Sequence, residues 1–288
     1  MNRAFLVSAL AIGILALSQA QVPKDETTYQ YSLINRREIS QESIEILNEK
    51  IQAEEERIEK ERLEEEERAR EEAEKAKPLY GIIITLDPGH GITNRRVKEP
   101  VAPNSSTTKP GNVSGTRGVK TGISEQKLNL TIALKLKESL EKEGATVFLT
   151  RDSEKSDMTN IERAELGNEK NSDLVIRIHA DGIDNPSVRG ASVLVPANGT
   201  LSKDVNEKSR QAGEKILKAY VEKTGFNNRG LISRKDMTGF NWSKVPVVLI
   251  EMGFMSNGKE DELMNDRSFQ SRMVEGITDG VLNFFIDK

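Results

Sequence analysis

The sequence contains no cysteine. That excludes disulfides, thiolate metal sites and lipid attachment at a cysteine, so the fold must be held by its core alone. Histidine is nearly as scarce: His90 and His179 are the only two in 288 residues. A long hydrophobic run is also missing. The most apolar stretch, Phe5 to Leu17, is broken by Ser8 and Gly13 and falls short of the roughly 20 residues a spanning helix needs. Finally, there is no excess of positive charge. The chain carries −4 overall, but residues 41–77 hold 15 acidic and 8 basic residues, which leaves about +3 for everything else. A nearly neutral remainder argues against nucleic acid as a partner, since that would need a dense basic face.

The first twenty residues read as a secretory signal: Arg3, the apolar core, then Ser18-Gln19-Ala20 as a small-residue cleavage site. Cleavage after Ala20 predicts an exported protein with no membrane span, in the cell wall, periplasm or extracellular space. An uncleaved anchor is the alternative. Residues 21–40 form a polar leader without clear periodicity. Residues 41–77 contain neither glycine nor proline and are mostly strong helix formers. Glu precedes Lys or Arg by four positions at Glu56/Lys60, Glu64/Arg68, Glu66/Arg70 and Glu71/Lys75. An apolar heptad starts at Ile44, Leu47, Ile51 and Ile58, then fails where Glu54 and Glu61 occupy seam positions. The segment is either a solvated charged helix acting as a spacer or a weak coiled coil, homotypic or with a protein partner. Pro78 ends it.

From residue 79 the pattern turns globular. Strands are expected at 81–87, 145–151, 174–179, 190–196 and 247–251, and helices at 125–143, 158–170, 203–224 and 271–285. Alternating helices and strands, with strands that are almost continuous apolar runs, indicate an α/β domain over 79–288 with a mainly parallel sheet covered on both faces.

Both histidines fall at strand ends. His90 follows the strand 81–87 in "TLDPGHG", and His179 closes "LVIRIHAD". Ligands gather at the carboxyl ends of strands in open α/β sheets. Glu251 sits directly after four aliphatic residues in "VVLIEMGFMSN", where a carboxylate is costly unless paired or ligated. Glu125 opens a helix. Two imidazoles and a carboxylate, with a fourth place for water, make the ligand set of a catalytic zinc site, and a second carboxylate serves as general base. Spacing does not decide which glutamate does which, because the four residues are 35, 54 and 72 positions apart. Taken singly, each has an ordinary structural alternative: a turn cap for His90, a core imidazole for His179, a first-turn helix acid for Glu125.

"LDPGHG", "SEQKLNLTIALKLKESLEKEGATVFLTRD", "IRIHAD", "NRGL" and "VVLIEMGFMSN" resemble, in order, the successive motifs of the zinc-dependent N-acetylmuramoyl-L-alanine amidases. The resemblance implies a six-stranded, mainly parallel sheet between helices. It implies zinc ligands at His90, Glu125 and His179, and Glu251 as catalytic acid/base. Arg229 matches the arginine of the family's "NRG" stretch and is a candidate substrate-binding residue. The implied reaction is hydrolysis of the amide between N-acetylmuramic acid and L-alanine in peptidoglycan. One departure from the family is the loop 91–124, which is longer than expected and rich in Pro, Ser, Thr and Gly, and is therefore expected to be structureless and to shape substrate entry. Two competing functions remain: another zinc hydrolase of peptidoglycan, such as a carboxypeptidase or sugar deacetylase, and a catalytically inert wall-binding scaffold. The intact four-residue set argues against the scaffold.

Overall fold

A computed structural model describes residues 41–93 and 95–286. The signal segment expected at 1–20 and the polar leader at 21–40 lie outside the described residues. The chain divides into two units, one up to Arg68 and one from Ala69 onward.

The first helix, α1, runs over Gln41–Lys75. Ile44, Leu47, Ile51, Ile58 and Leu63 are all exposed on it. Of the four expected pairs, Glu71 and Lys75 form an ion pair at 3.4 Å. Elsewhere arginines do the bridging: Arg57 reaches Glu54 and Glu61, and Arg62 reaches Glu59 and Glu66. The guanidinium fork has enough donors to hold carboxylates on the turns before and after it. Among the described residues no helix is long and apolar enough to cross a membrane.

The second unit is built on a six-stranded sheet in the order β4-β1-β5-β8-β6-β7. Its strands are β1 (Ile83–Pro88), β4 (Thr146–Leu149), β5 (Leu174–Asp181), β6 (Ala191–Pro196), β7 (Asn228–Arg234) and β8 (Val247–Phe254). The pairs β1–β4, β1–β5, β5–β8 and β6–β7 are parallel, and only β6–β8 is antiparallel. Strand β7, which carries "NRGL", supplies the sixth member. It lacks a continuous apolar run because it is an edge strand with both flanks partly exposed.

The period of two along each strand divides the chemistry between the faces. One face presents Ile84 and Leu86, Ile176 and Ile178, Val248 and Ile250. These pack with Leu128, Ile132, Leu136 and Leu140 of α2 (Glu125–Lys142), with Ile216, Leu217 and Tyr220 of α4 (Lys203–Thr224), and with Met273, Ile277 and Val281 of α7 (Arg267–Ile286) in one continuous core. The fourfold spacing of the α2 leucines and isoleucine is what turns them all to one side of the helix. The other face has a smaller apolar patch, Val175, Leu194, Val247 and Leu249 with Phe240 of the short helix α5 (Thr238–Asn241). Towards the carboxyl ends of β1, β5 and β8 that face becomes polar, with Asp87, Arg177, His179 and Glu251, joined by Ser192 from the start of the antiparallel β6. Helix α3 (Asn160–Glu169) starts at a capping box between Thr159 and Glu162, and α6 (Gly258–Asn265) follows β8.

The loop 91–124 is not structureless. It contains an antiparallel hairpin of β2 (Lys98–Pro100) and β3 (Thr108–Pro110). The hairpin is tied to distant parts of the fold: Lys109 donates to the Asp236 carbonyl at 3.0 Å, Asn241 to the Val101 carbonyl at 2.9 Å, and Trp242 to the Pro100 carbonyl at 3.2 Å. Buried Glu99 accepts from Asn160 at 2.8 Å and from the Ile161 amide at 3.1 Å. Two of these ties, to the carbonyls of Pro100 and Val101, give loop backbone groups partners outside the hairpin.

Candidate active site

The strand ends bring three of the expected residues together. His90 lies just past β1, Glu125 is the first residue of α2, and His179 lies near the end of β5. Glu125 Oε1 is 3.0 Å from His90 Nε2 and 3.0 Å from His179 Nδ1. The two rings stand edge to face with centroids 4.8 Å apart. One ligand atom from each of the three residues falls within 4.8 Å of the others, so the group could hold a metal ion.

Glu125 is the most constrained of the three. Its Oε1 also meets Asn129 Nδ2 and the Ala180 amide, both at 3.2 Å, while Oε2 accepts from the Thr116 amide at 2.9 Å. Burial alone would raise its pKa, but hydrogen bonds from His179 and His90 outweigh that and hold the carboxyl well below the usual range. Burial, reinforced by the neighbouring His90, lowers the pKa of His179, so its ring is neutral at pH 7.

One feature fits a cation at this point, and a second leaves a neighbouring ring nitrogen without a partner. His90 Nδ1 is 2.8 Å from the Val113 carbonyl, which can only accept, so the hydrogen sits on Nδ1. Its Nε2 stands 3.0 Å from a carboxylate oxygen of Glu125, a contact that is favourable only with a proton or a metal ion between the two atoms. His179 Nε2, the ring nitrogen opposite the Nδ1 that meets Glu125, is buried without a hydrogen-bond partner, which is unusual for a native polar atom. The surroundings leave no slack. A Cβ on Gly89 would lie 2.2 Å from His179 Cε1, and one on Gly115 would lie 2.3 Å from Glu125 Oε2. Only glycine can bring both loops this close.

Glu251 stands beside this group. It is the register partner of His179 on the adjacent parallel strand, hence on the same face. Its Oε2 is buried and unpartnered. Burial, with repulsion from Glu125 and Asp181, pushes its pKa well above the usual carboxylate value, only partly offset by Arg234. Arg229 does not join the group. It is exposed at the start of β7, two strands from Glu251, and its guanidinium packs 5.1 Å over the ring of Phe254.

Sequence reasoning missed the support beneath the histidines. Buried Asp87 pairs with Arg163 at 2.6 Å and Arg177 at 2.7 Å and accepts from Thr150 at 2.7 Å. Arg163 also donates to the carbonyls of Pro88 and His90, at 3.0 and 2.8 Å, and Arg151 donates to those of Pro88, Gly89 and Gln126. Two guanidiniums, those of Arg163 and Arg151, thus fix the Pro-Gly-His turn, in which His90 adopts a left-handed φ of 62°. The signal was present: Asp87 and Arg177 interrupt apolar strands just as Glu251 does.

Residues 84–283 match the Amidase_3 family, N-acetylmuramoyl-L-alanine amidase. Among curated proteins, the chain is 27% identical over 213 residues to a probable cell wall amidase, LytH, of Staphylococcus epidermidis, covering 73% of this chain and 60% of that protein. The Staphylococcus aureus LytH matches at the same identity, over 74% and 61%. The chain therefore spans about 60% of the length of these relatives. Among solved structures, the N-acetylmuramyl-L-alanine amidase Ami1 of Mycobacterium smegmatis superposes with a TM-score of 0.67 at 25% identity, covering 73% of this chain and 99% of that one. The CwlD amidase of Clostridioides difficile, solved in complex with the GerS lipoprotein, superposes with a TM-score of 0.58 at 25% identity, over 72% of this chain and 100% of that one. The flanked, mainly parallel six-stranded sheet is the fold these structures share, and the chain belongs to the N-acetylmuramoyl-L-alanine amidase family.

Proposed function

We propose that the chain is a zinc-dependent N-acetylmuramoyl-L-alanine amidase, hydrolysing the amide between the lactyl group of N-acetylmuramic acid and L-alanine in peptidoglycan. The observation that carries this reading is the convergence of His90 and His179 on one oxygen of Glu125, with Glu251 in register beside it. His90, Glu125 and His179 are assigned as zinc ligands, a donor set typical of catalytic zinc with one place left open. Export through the segment 1–20 fits a substrate outside the cytoplasmic membrane.

When bound, zinc supplies Lewis acidity towards the amide carbonyl and makes water a stronger acid. The remaining work falls to the protein. Glu251 takes the proton of the attacking water and returns it to the alanine nitrogen, because an amine leaves an amide readily only when protonated. The Asp87–arginine cluster holds the His90 turn so that its lone pair keeps its direction. Arg229, exposed at the same end of the sheet, is assigned to substrate contact.

The test is mass spectrometry of purified peptidoglycan after digestion by the zinc-loaded chain. Free stem peptides beginning with L-alanine are expected. New reducing sugar ends or released D-alanine would replace this assignment with another hydrolase.

A further inference from the structure

Next to the histidines is a second feature that the hydrolytic step does not use. A cavity of about 210 Å³ opens beside His90 and His179, and its walls include Lys109, Asn160, Arg163, Arg177 and Met237. Three of these side chains are cationic. The carboxylates around them are already occupied. Asp87 is shared between Arg163 and Arg177. Asp236 is held bidentately by Arg234, both contacts at 2.8 Å. Glu99 accepts from Asn160 and the Ile161 amide.

Lys109 has no such partner. Among the described residues it forms no ion pair, and its one hydrogen bond goes to the Asp236 carbonyl at 3.0 Å. Burial, together with Arg177, lowers its pKa. An ammonium group is therefore held half-buried beside a guanidinium with most of its donor capacity unused. Strand β3 and the contacts of the hairpin with Asn241 and Trp242 fix it there. Such a group is stabilised by an incoming anion.

We propose that this cavity recognises a carboxylate of the substrate's stem peptide and that Lys109 is its selectivity-determining contact. The inference rests on the amidase reading, which places the scissile amide at the histidines and so places the neighbouring stem residues within reach of the cavity. Two carboxylates have the required chemistry: the α-carboxylate of a D-glutamate at the second stem position, and a side-chain carboxylate at the third, as in diaminopimelate. Amidation of the first to D-isoglutamine, or lysine in place of the second, removes the charge without changing the scissile bond.

The experiment compares cleavage by the zinc-loaded full chain of muramoyl peptides carrying D-glutamate or D-isoglutamine, and of D-isoglutamine peptides carrying diaminopimelate or lysine at the third position. Binding of the corresponding free peptides is measured by calorimetry. Wild type is expected to favour the carboxylate member of one pair by about tenfold, the effect of one charge-assisted hydrogen bond, through KM and Kd more than kcat. Lys109→Met should erase the preference, so that charged and uncharged peptides are handled alike, and Lys109→Arg should retain it. The pair that shows the effect identifies which carboxylate is bound. Equal handling of charged and uncharged peptides by wild type overturns the proposal, as does a preference that survives Lys109→Met. If no peptide is cleaved but charge-selective binding is present and lost in Lys109→Met, the amidase reading fails and the carboxylate site stands.

Discussion

Gly89 lies flat against the imidazole of His179: a methyl group on its Cα would fall 2.2 Å from Cε1 and 2.3 Å from Nε2 of that ring. The residue before one histidine is thus the wall against which the other is held. Gly89→Ala is expected to displace the His179 ring and weaken zinc binding by about 10–100-fold, as loss of ligand support generally does. Competition with a chelator measures it. An unchanged zinc affinity in a folded Gly89→Ala protein would show that the ring has room the geometry denies.

His90→Ala and His179→Ala should lose bound zinc, whereas Glu251→Gln should keep it and lose turnover by roughly two to four orders of magnitude, the usual contribution of a general acid/base. Metal content of the three purified variants decides the matter. Equal zinc in all of them would mean that the ligands are misassigned.

Glu251 should also weaken the metal-free fold. Its folded-state pKa is raised, by burial first and then by the charge of Glu125. The native state therefore binds its proton more tightly than the unfolded chain does. Stability from this group is fully present below the ordinary carboxylate pKa and is lost as pH rises through the higher native value. Glu251→Gln, neutral at every pH, should raise the melting temperature of the zinc-free protein by a few degrees above neutrality and by little near pH 4. Calorimetry across that range tests it, and a lower melting temperature at alkaline pH would count against the buried, unpaired state of this side chain.

Asp87 works in the opposite direction. The two arginines and Thr150 overcome the penalty of burial and hold its pKa far below normal. Its contribution is present above the unfolded pKa and is lost as pH falls towards the depressed native value. Asp87→Asn leaves Arg163 and Arg177 buried beside a neutral group and should cost about 3–5 kcal/mol in denaturant unfolding. The exposed pair of Arg62 and Glu59 gives the contrast: Arg62→Gln should stay within about 0.5 kcal/mol of wild type. Similar costs for the two variants would contradict the burial argument.

Helix α1 should add little to stability. Its apolar side chains Ile44, Leu47, Ile51 and Ile58 are exposed, and exposed helical ion pairs contribute only about 0.2–0.5 kcal/mol each. A chain beginning at Ala69 should melt within a few degrees of the longer one when both carry zinc. A large fall would show that α1 is needed by the fold. A rise in activity on soluble fragments would show that it restrains the enzyme.

The strands with solid apolar runs, β1, β5, β6 and β8, were legible in the sequence because both faces of a parallel sheet are covered and period and hydrophobicity agree there. Strand β7 was not, since an edge strand with Asn228, Arg229 and Gly230 in its first half has no such run. His90, Glu125, His179 and Glu251 were legible as singular residues at element ends, though only the folded chain shows that Glu125 meets both histidines while Glu251 stands in the neighbouring register. The hairpin in loop 91–124 was misread as structureless. Its order comes from partners such as Asp236 and Trp242, more than 120 positions away, which no local pattern reveals. Lys109 was overlooked for the same reason.

Those long-range ties also mean that the hairpin precedes its partners along the chain. The hairpin is made early in the chain but is held by Asp236, Asn241 and Trp242, and strand β8 with Glu251 comes later still. Contacts so far apart in sequence carry a loop-closure cost and are slow to form. A polypeptide that emerges amino terminus first therefore carries His90, Glu125 and His179 before it has the partners that hold the hairpin, and before it has Glu251. On the proposed assignment, a chain that stops short of the last strand has its three metal ligands but lacks its proton-transfer group.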